Sequence, residues 1–251
     1  MWILTPRPKC DLLKNYPMQI LSDSSQYLSH SCEPHFAGAS PMRIVALGDS
    51  LIFGFGDPVG GGWVERLRRQ WMSPGNRGHA LYNLGMRGNG VAQVSQRLEK
   101  EWSHRGHPPS RRPELMILSV GLNDSPRLGR PNGKSFTEFE GWKTQVTHLL
   151  DQAVNVCPVV FIGMVPVDES KMPFLNCFYY NHTDQYRYKE ATKLACEQRQ
   201  IPYLDIFDLW LKRGENWLRL HLSEDGLHPN VRGYQALLQD ILHWESVNSY
   251  Q

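Results

Sequence analysis

Four short stretches of this 251-residue chain carry side chains that could do chemistry together. In Gly48-Asp49-Ser50-Leu51 a serine hydroxyl follows directly on an apolar run, Ile44 to Leu47. In Asn83-Leu84-Gly85-Met86-Arg87-Gly88 the glycines let a backbone N–H turn into a crevice. Gly121-Leu122-Asn123-Asp124 offers the Asn123 side-chain amide as a donor. Asp225-Gly226-Leu227-His228-Pro229-Asn230 sets an acid and an imidazole three residues apart. A loop that tight can bring the carboxylate to one ring nitrogen while the other reaches a serine, which is how a hydroxyl is activated as a nucleophile. Each stretch also has a plain alternative. Gly-Asp-Ser is common turn chemistry, Asp225 can simply open a turn, His228 can pack on the following helix, and Asn123 can close a loop. Their joint occurrence, in this order, favours serine catalysis.

The elements that must position these residues follow from periodicity. Apolar runs over 44–47, 81–85, 115–120, 159–165 and 202–206 read as strands, and the first three lead into candidate residues. Helical spacing is found over 63–71, 91–102, 139–154, 182–198 and 230–245. Strands alternating with helices imply a parallel sheet covered on both faces, an α/β three-layer α/β/α sandwich with five strands. In such sheets ligands bind beyond the carboxyl ends of the strands, where Ser50 and Asn123 are expected. Glycines 54, 56 and 60–62 suit a close approach of backbone to a ligand, and the connection 166–181, with Phe174, Phe178, Tyr179 and Tyr180, is long enough for a binding loop or lid.

Residues 1–41 mix proline, serine and histidine with isolated apolars and show no sustained period, so they read as a poorly ordered extension preceding a catalytic domain over 42–251. A second reading takes Met42, next to the first strand, as the true start. With 27 basic and 25 acidic residues spread widely, the net charge of +2 argues against nucleic acid as a partner. Five cysteines without C-x-x-C spacing favour reduced thiols and a cytoplasmic location, and neither a secretory signal nor a membrane span is legible. Gly129 to Ser135 resembles a phosphate-binding loop but has three residues between its glycines where four are needed, and follows no strand directly. Gly54-Phe55-Gly56 stands too far past its strand for a dinucleotide fingerprint, and no ribose-binding acid follows the second strand. With no H-E-x-x-H, and with His104 and His107 lacking further ligands, neither metal nor cofactor is expected.

The blocks G-D-S-L at 48–51, N-L-G-x-x-G at 83–88, G-L-N-D at 121–124 and D-G-L-H-P at 225–229 resemble those of the SGNH, or GDSL, hydrolases, over about residues 42–246. The resemblance implies a flavodoxin-like fold and an esterase or lipase acting on a small-molecule ester. It makes Ser50 the nucleophile, His228 the general base and then acid, and Asp225 its orienting partner. The Ser50 and Gly88 N–H groups and the Asn123 amide would form the oxyanion hole. Asp49 and Asp124 rank below Asp225 as the acid. Arg87 departs from the small residue many members carry and could meet a negative substrate group; Tyr179 is a further candidate for substrate contact. A thioesterase, a carbohydrate deacetylase or a silent carbohydrate- or lipid-binding module would share these blocks. The few crevice-facing segments that can be placed offer no long apolar wall, which favours short acyl groups.

Overall fold

The computed structural model describes residues 41–73, 78–105 and 111–244. Apart from Pro41, the extension expected over 1–41 lies outside them. In chain order the elements are β1 (Arg43–Gly48), α1 (Ser50–Phe53), α2 (Gly62–Trp71), β2 (Ala80–Gly85), α3 (Val91–Arg105), β3 (Leu115–Ser119), β4 (Arg127–Leu128), α4 (Phe139–Val154), β5 (Val159–Ile162), β6 (Phe178–Tyr179), α5 (His182–Glu197), β7 (Tyr203–Leu204), α6 (Ile206–Leu211), α7 (Glu215–His221) and α8 (Val231–Leu242).

Five strands form one parallel sheet in the order β2-β1-β3-β5-β7. The inner strands are buried on both faces, which is why they are continuous apolar runs: Ile44 to Leu47 are at most 1% exposed, and β3 is buried throughout. Edge strand β2 is only partly covered, with Leu81 and Leu84 buried and Ala80 and Tyr82 exposed. Helices cover the sheet by burying single stripes: Trp63, Val64, Leu67 and Trp71 on α2, Trp142, Val146, Leu149 and Leu150 on α4, Tyr234, Leu237 and Ile241 on α8. Helices α3, α4 and α5 pack side by side, and α2 packs on α8. With right-handed crossovers, the step from β1 out to β2 and the steps from β3 to β5 and β7 leave helices on opposite faces, producing the three layers expected. The sequence order of the sheet reverses between β1 and β3. That switch point is where an open α/β sheet offers its crevice.

Three features depart from the periodic reading. The fifth strand spans only Tyr203–Leu204, because the Asp205 carboxylate accepts the Asp208 N–H at 3.1 Å and starts α6 at Ile206. Helix α6 begins at Ile206, the last residue of the expected strand, and with α7 fills a stretch for which periodicity predicts no element. The 166–181 connection carries β6, which pairs antiparallel with β4 in a two-residue ribbon. Among the described residues no helix is long and apolar enough to cross a membrane, and Cys157, Cys177 and Cys196 are free thiols.

Candidate active site

Strand β1 ends on Gly48, where any side chain would collide with the Ser119 carbonyl of β3, 1.9 Å from a Cβ placed there. Chain direction then changes at Asp49, whose Oδ1 accepts the Leu51 N–H at 2.9 Å and caps α1. Ser50 is thus the first residue of α1, with its own N–H among the donors a helix start leaves unpaired. Its Oγ lies 2.8 Å from His228 Nε2, and His228 Nδ1 lies 2.7 Å from Asp225 Oδ2. Ser50 and His228 are buried, at 3% and 4% exposed.

The Asp225–His228 loop is held from within. Asp225 Oδ1 accepts the N–H groups of Leu227 and His228 at 2.9 and 3.0 Å, and the His228 carbonyl accepts the Ser223 N–H at 2.7 Å. Burial works against ionising Asp225, but the imidazole and these two N–H groups outweigh it and hold the carboxyl below its ordinary range. An ionised Asp225 keeps the ring proton on Nδ1, leaving Nε2 free to accept from the Ser50 hydroxyl. Helix α8 locks the two loops together: the Tyr234 hydroxyl donates to the Phe55 carbonyl at 3.0 Å and lies 3.3 Å from that of Ser50, while Asn230 caps α8 through Arg232 and Gly233 and donates to the Leu222 carbonyl.

Asn123 sits in a 3-10 turn, Leu122–Asp124, just past β3. Its Nδ2 donates to the Asn89 carbonyl at 3.0 Å and lies 3.5 Å from Asp49 Oδ2. The Gly88 backbone, at φ 78°, is exposed, and its N–H has no hydrogen-bond partner among the described residues.

A paired hydroxyl and imidazole at the switch point, beside unpaired N–H donors, can attack a carbonyl carbon and receive the charge that develops on its oxygen. Over residues 46–236 the chain matches the GDSL-like Lipase/Acylhydrolase family. It belongs to that family. Solved structures agree on the fold at low identity. The chain is similar to the lipase/acylhydrolase from Enterococcus faecalis (20% identity, 83% of this chain and 96% of that one covered, TM-score 0.66). It is also similar to the acetylxylan esterase Axe2 from Geobacillus stearothermophilus (15%, 81% and 93%, 0.61) and to the psychrotrophic esterase EstA from Pseudoalteromonas sp. (16%, 83% and 97%, 0.60). No curated protein matches significantly.

The other acids of this GDSL-family chain are engaged elsewhere. Burial pushes Asp49 up to about 7 despite the Leu51 N–H. Burial also raises Asp124, which accepts the Val91 N–H at 2.9 Å and the Thr137 hydroxyl at 3.0 Å. Neither carboxyl bonds to His228. Arg87 projects over the Phe55 ring, Cζ 3.6 Å from its centroid, and Phe55 meets His228 edge-on at 4.7 Å. Tyr179 pairs with Arg127 in the β4–β6 ribbon, while the aromatic of that connection facing the imidazole is Phe174, with ring centroids 6.1 Å apart. Three of the glycines at 54–62 approach backbone: a Cβ on Gly62 would meet the Gly54 Cα at 2.2 Å, one on Gly54 the Gly61 carbonyl at 2.1 Å, and one on Gly56 the Pro229 carbonyl at 2.4 Å, while Gly60 and Gly61 face the side chains of Arg66 and Glu65.

Several supporting residues escaped the sequence reading. Arg97 donates to Asn89 Oδ1 at 2.9 Å and to the Gly48 carbonyl at 2.7 Å, joining the Asn89 turn, on which Asn123 also bonds, to the end of β1. Its place on α3 gave no signal, because Asn89 lies eight residues back, outside the helix, and Gly48 lies 49 residues away. Carboxylates of Glu190, Asp205 and Asp208 come close enough to suggest a cation site, but the buried Lys189 ammonium bonds all three, at 2.6, 3.0 and 3.0 Å, and supplies the positive charge itself.

Proposed function

We propose that the protein is a serine hydrolase of carboxylic esters, working through an acyl-serine intermediate and favouring short acyl groups. The observation that carries this reading is His228 standing between Ser50 and Asp225, bonded to each through a different ring nitrogen. Ser50 Oγ attacks the carbonyl carbon as its proton passes to His228 Nε2, and ionised Asp225 stabilises the imidazolium. The carbonyl oxygen, now negative, is received by the N–H groups of Ser50 and Gly88 and by the Asn123 amide. Collapse breaks the ester bond and His228 returns its proton to the departing alkoxide. Water then attacks the acyl-serine with His228 as base, releasing the carboxylic acid and the Ser50 hydroxyl. Each proton is accounted for within these groups, so the cycle requires no cofactor.

Family membership supports the reading, and in Axe2 the catalytic mutants alter one serine, one aspartate and one histidine. The same groups would serve a thioesterase or a carbohydrate deacetylase. Wild type and Ser50→Ala should therefore be compared in fluorophosphonate labelling and on a panel of aryl esters, thioesters and acetylated sugars. Labelling and ester cleavage lost together in a folded Ser50→Ala variant is the expected result. A wild-type chain that neither labels nor cleaves any acyl substrate refutes it and leaves the silent binding module.

A further inference from the structure

We infer that this esterase selects esters carrying a second, negatively charged oxygen group a short spacer away from the scissile bond, and that Arg87 is the residue that recognises it. The inference builds on the ester-hydrolase reading above and narrows its substrate class.

Arg87 immediately precedes Gly88, so the peptide N–H offered to an oxyanion is the one joining these two residues. Its side chain is exposed, yet it folds over Phe55, with Cζ 3.6 Å from the ring centroid. Phe55 in turn places its ring against His228 at 4.7 Å. The cation is therefore one aromatic ring away from the imidazole. A guanidinium stacked on an aromatic face gains cation–π attraction without using a hydrogen-bond acceptor. Among the described residues no carboxylate lies within ion-pair distance of it and no acceptor takes its N–H groups. Several other arginines are ion-paired, Arg66 with Asp57, Arg127 with Asp184, Arg199 with Asp151 and Arg213 with Asp240, whereas Arg187 stacks on Phe139 as Arg87 does on Phe55 but has no contact with His228.

The negative groups nearest the reacting atoms cannot compensate Arg87. Asp225 is committed to His228 and two backbone N–H groups, and Asp49 is wholly buried against Leu51. An unpaired planar fork at the crevice rim matches a carboxylate or another oxyanion in a two-point contact. Phe55 fixes its position, which reduces the side-chain entropy lost when a ligand binds. A neutral ester leaves the guanidinium to water.

The test compares three matched substrates: phenyl butyrate, which is neutral; phenyl monosuccinate, charged on the acyl side; and 4-carboxyphenyl butyrate, charged on the alcohol side. Wild type, Arg87→Ala and Arg87→Lys are assayed for kcat/KM at low and high salt. Arg87→Ala should lower kcat/KM for at least one charged ester about tenfold more than for phenyl butyrate, with Arg87→Lys between them. The affected ester tells which side of the bond faces Arg87. Salt should erode the wild-type preference for that ester and leave Arg87→Ala indifferent. Equal losses on all three substrates would mean that Arg87 only supports the Gly88 loop, and no loss on any would mean that it only covers Phe55. Either result overturns the inference while the hydrolase reading stands. A wild-type chain that cleaves none of the three overturns both.

Discussion

Asp49 Oδ2 lies 3.5 Å from Nδ2 of Asn123, while Oδ1 of the same carboxyl accepts the Leu51 N–H at 2.9 Å. One buried acid thus touches both the turn that begins at Ser50 and the amide beside the crevice. Burial pushes it up to about 7, so in the folded chain it keeps a proton that the unfolded chain has released above about pH 4. Its contribution to stability therefore falls as pH rises towards about 7 and is level beyond. Asp49→Asn keeps an acceptor for Leu51 and cannot ionise. The Tm of this variant relative to wild type should rise between about pH 4 and 7; a difference that stays constant with pH would remove Asp49 as the cause.

Asn123→Ala should lower kcat by about 10² to 10³ with a much smaller change in KM, since an oxyanion bond strengthens in the transition state. A large rise in KM at unchanged kcat would make Asn123 a substrate-binding residue instead.

Replacing Asp225 with asparagine keeps the shape of the loop but removes the charge that fixes the His228 tautomer. Turnover should fall by about 10³ to 10⁴. Because its folded carboxyl is held below the ordinary range, Asp225 stabilises the fold above about pH 4 and loses that contribution as pH falls through its folded value. Acid unfolding monitored by circular dichroism should therefore be less steep in Asp225→Asn. Unchanged turnover would exclude Asp225 from catalysis.

Gly56 has φ 102°, and a Cβ there would lie 2.4 Å from the Pro229 carbonyl and 2.9 Å from Ser223 Oγ. Gly56→Ala should cost about 1–3 kcal/mol of stability from the backbone conformation alone. It should also depress kcat by displacing the loop that carries His228. Thermal melts and ester turnover check this together, and a variant equal to wild type in both would show that the two loops part without consequence.

Phe174, 6.1 Å from the His228 ring and 6.4 Å from Tyr180, limits the space over the imidazole. On p-nitrophenyl esters below their micellar concentrations, kcat/KM should peak between acetate and butyrate. Phe174→Ala should move the maximum to longer chains, each further buried methylene being worth roughly 0.8 kcal/mol. A monotonic rise through dodecanoate in wild type would instead identify an acyl channel.

What the sequence determined by itself is what neighbouring residues decide among themselves. Ile44 to Leu47 and Leu115 to Leu118 are apolar without alternation, so they read as buried strands, and the structure covers them on both faces. The Asp225–His228 pair is made by a loop whose bonds span two and three residues, so the contact between the two side chains could be read directly. Tertiary structure decided everything that depends on where the chain returns. Ser50 and His228 meet across 178 residues, Asn123 reaches Asn89 across 34, and Arg97 reaches Gly48 across 49. No local period encodes these distances. Nor could a two-residue strand such as Phe178–Tyr179 announce itself by alternation; of the aromatics in that connection it is Phe174 that lies beside His228, while Tyr179 pairs with Arg127 in the ribbon. The glycines of 54–62 were legible as a place of close approach. That Gly54, Gly56 and Gly62 meet backbone there follows only from the packing of that loop on itself and on Pro229.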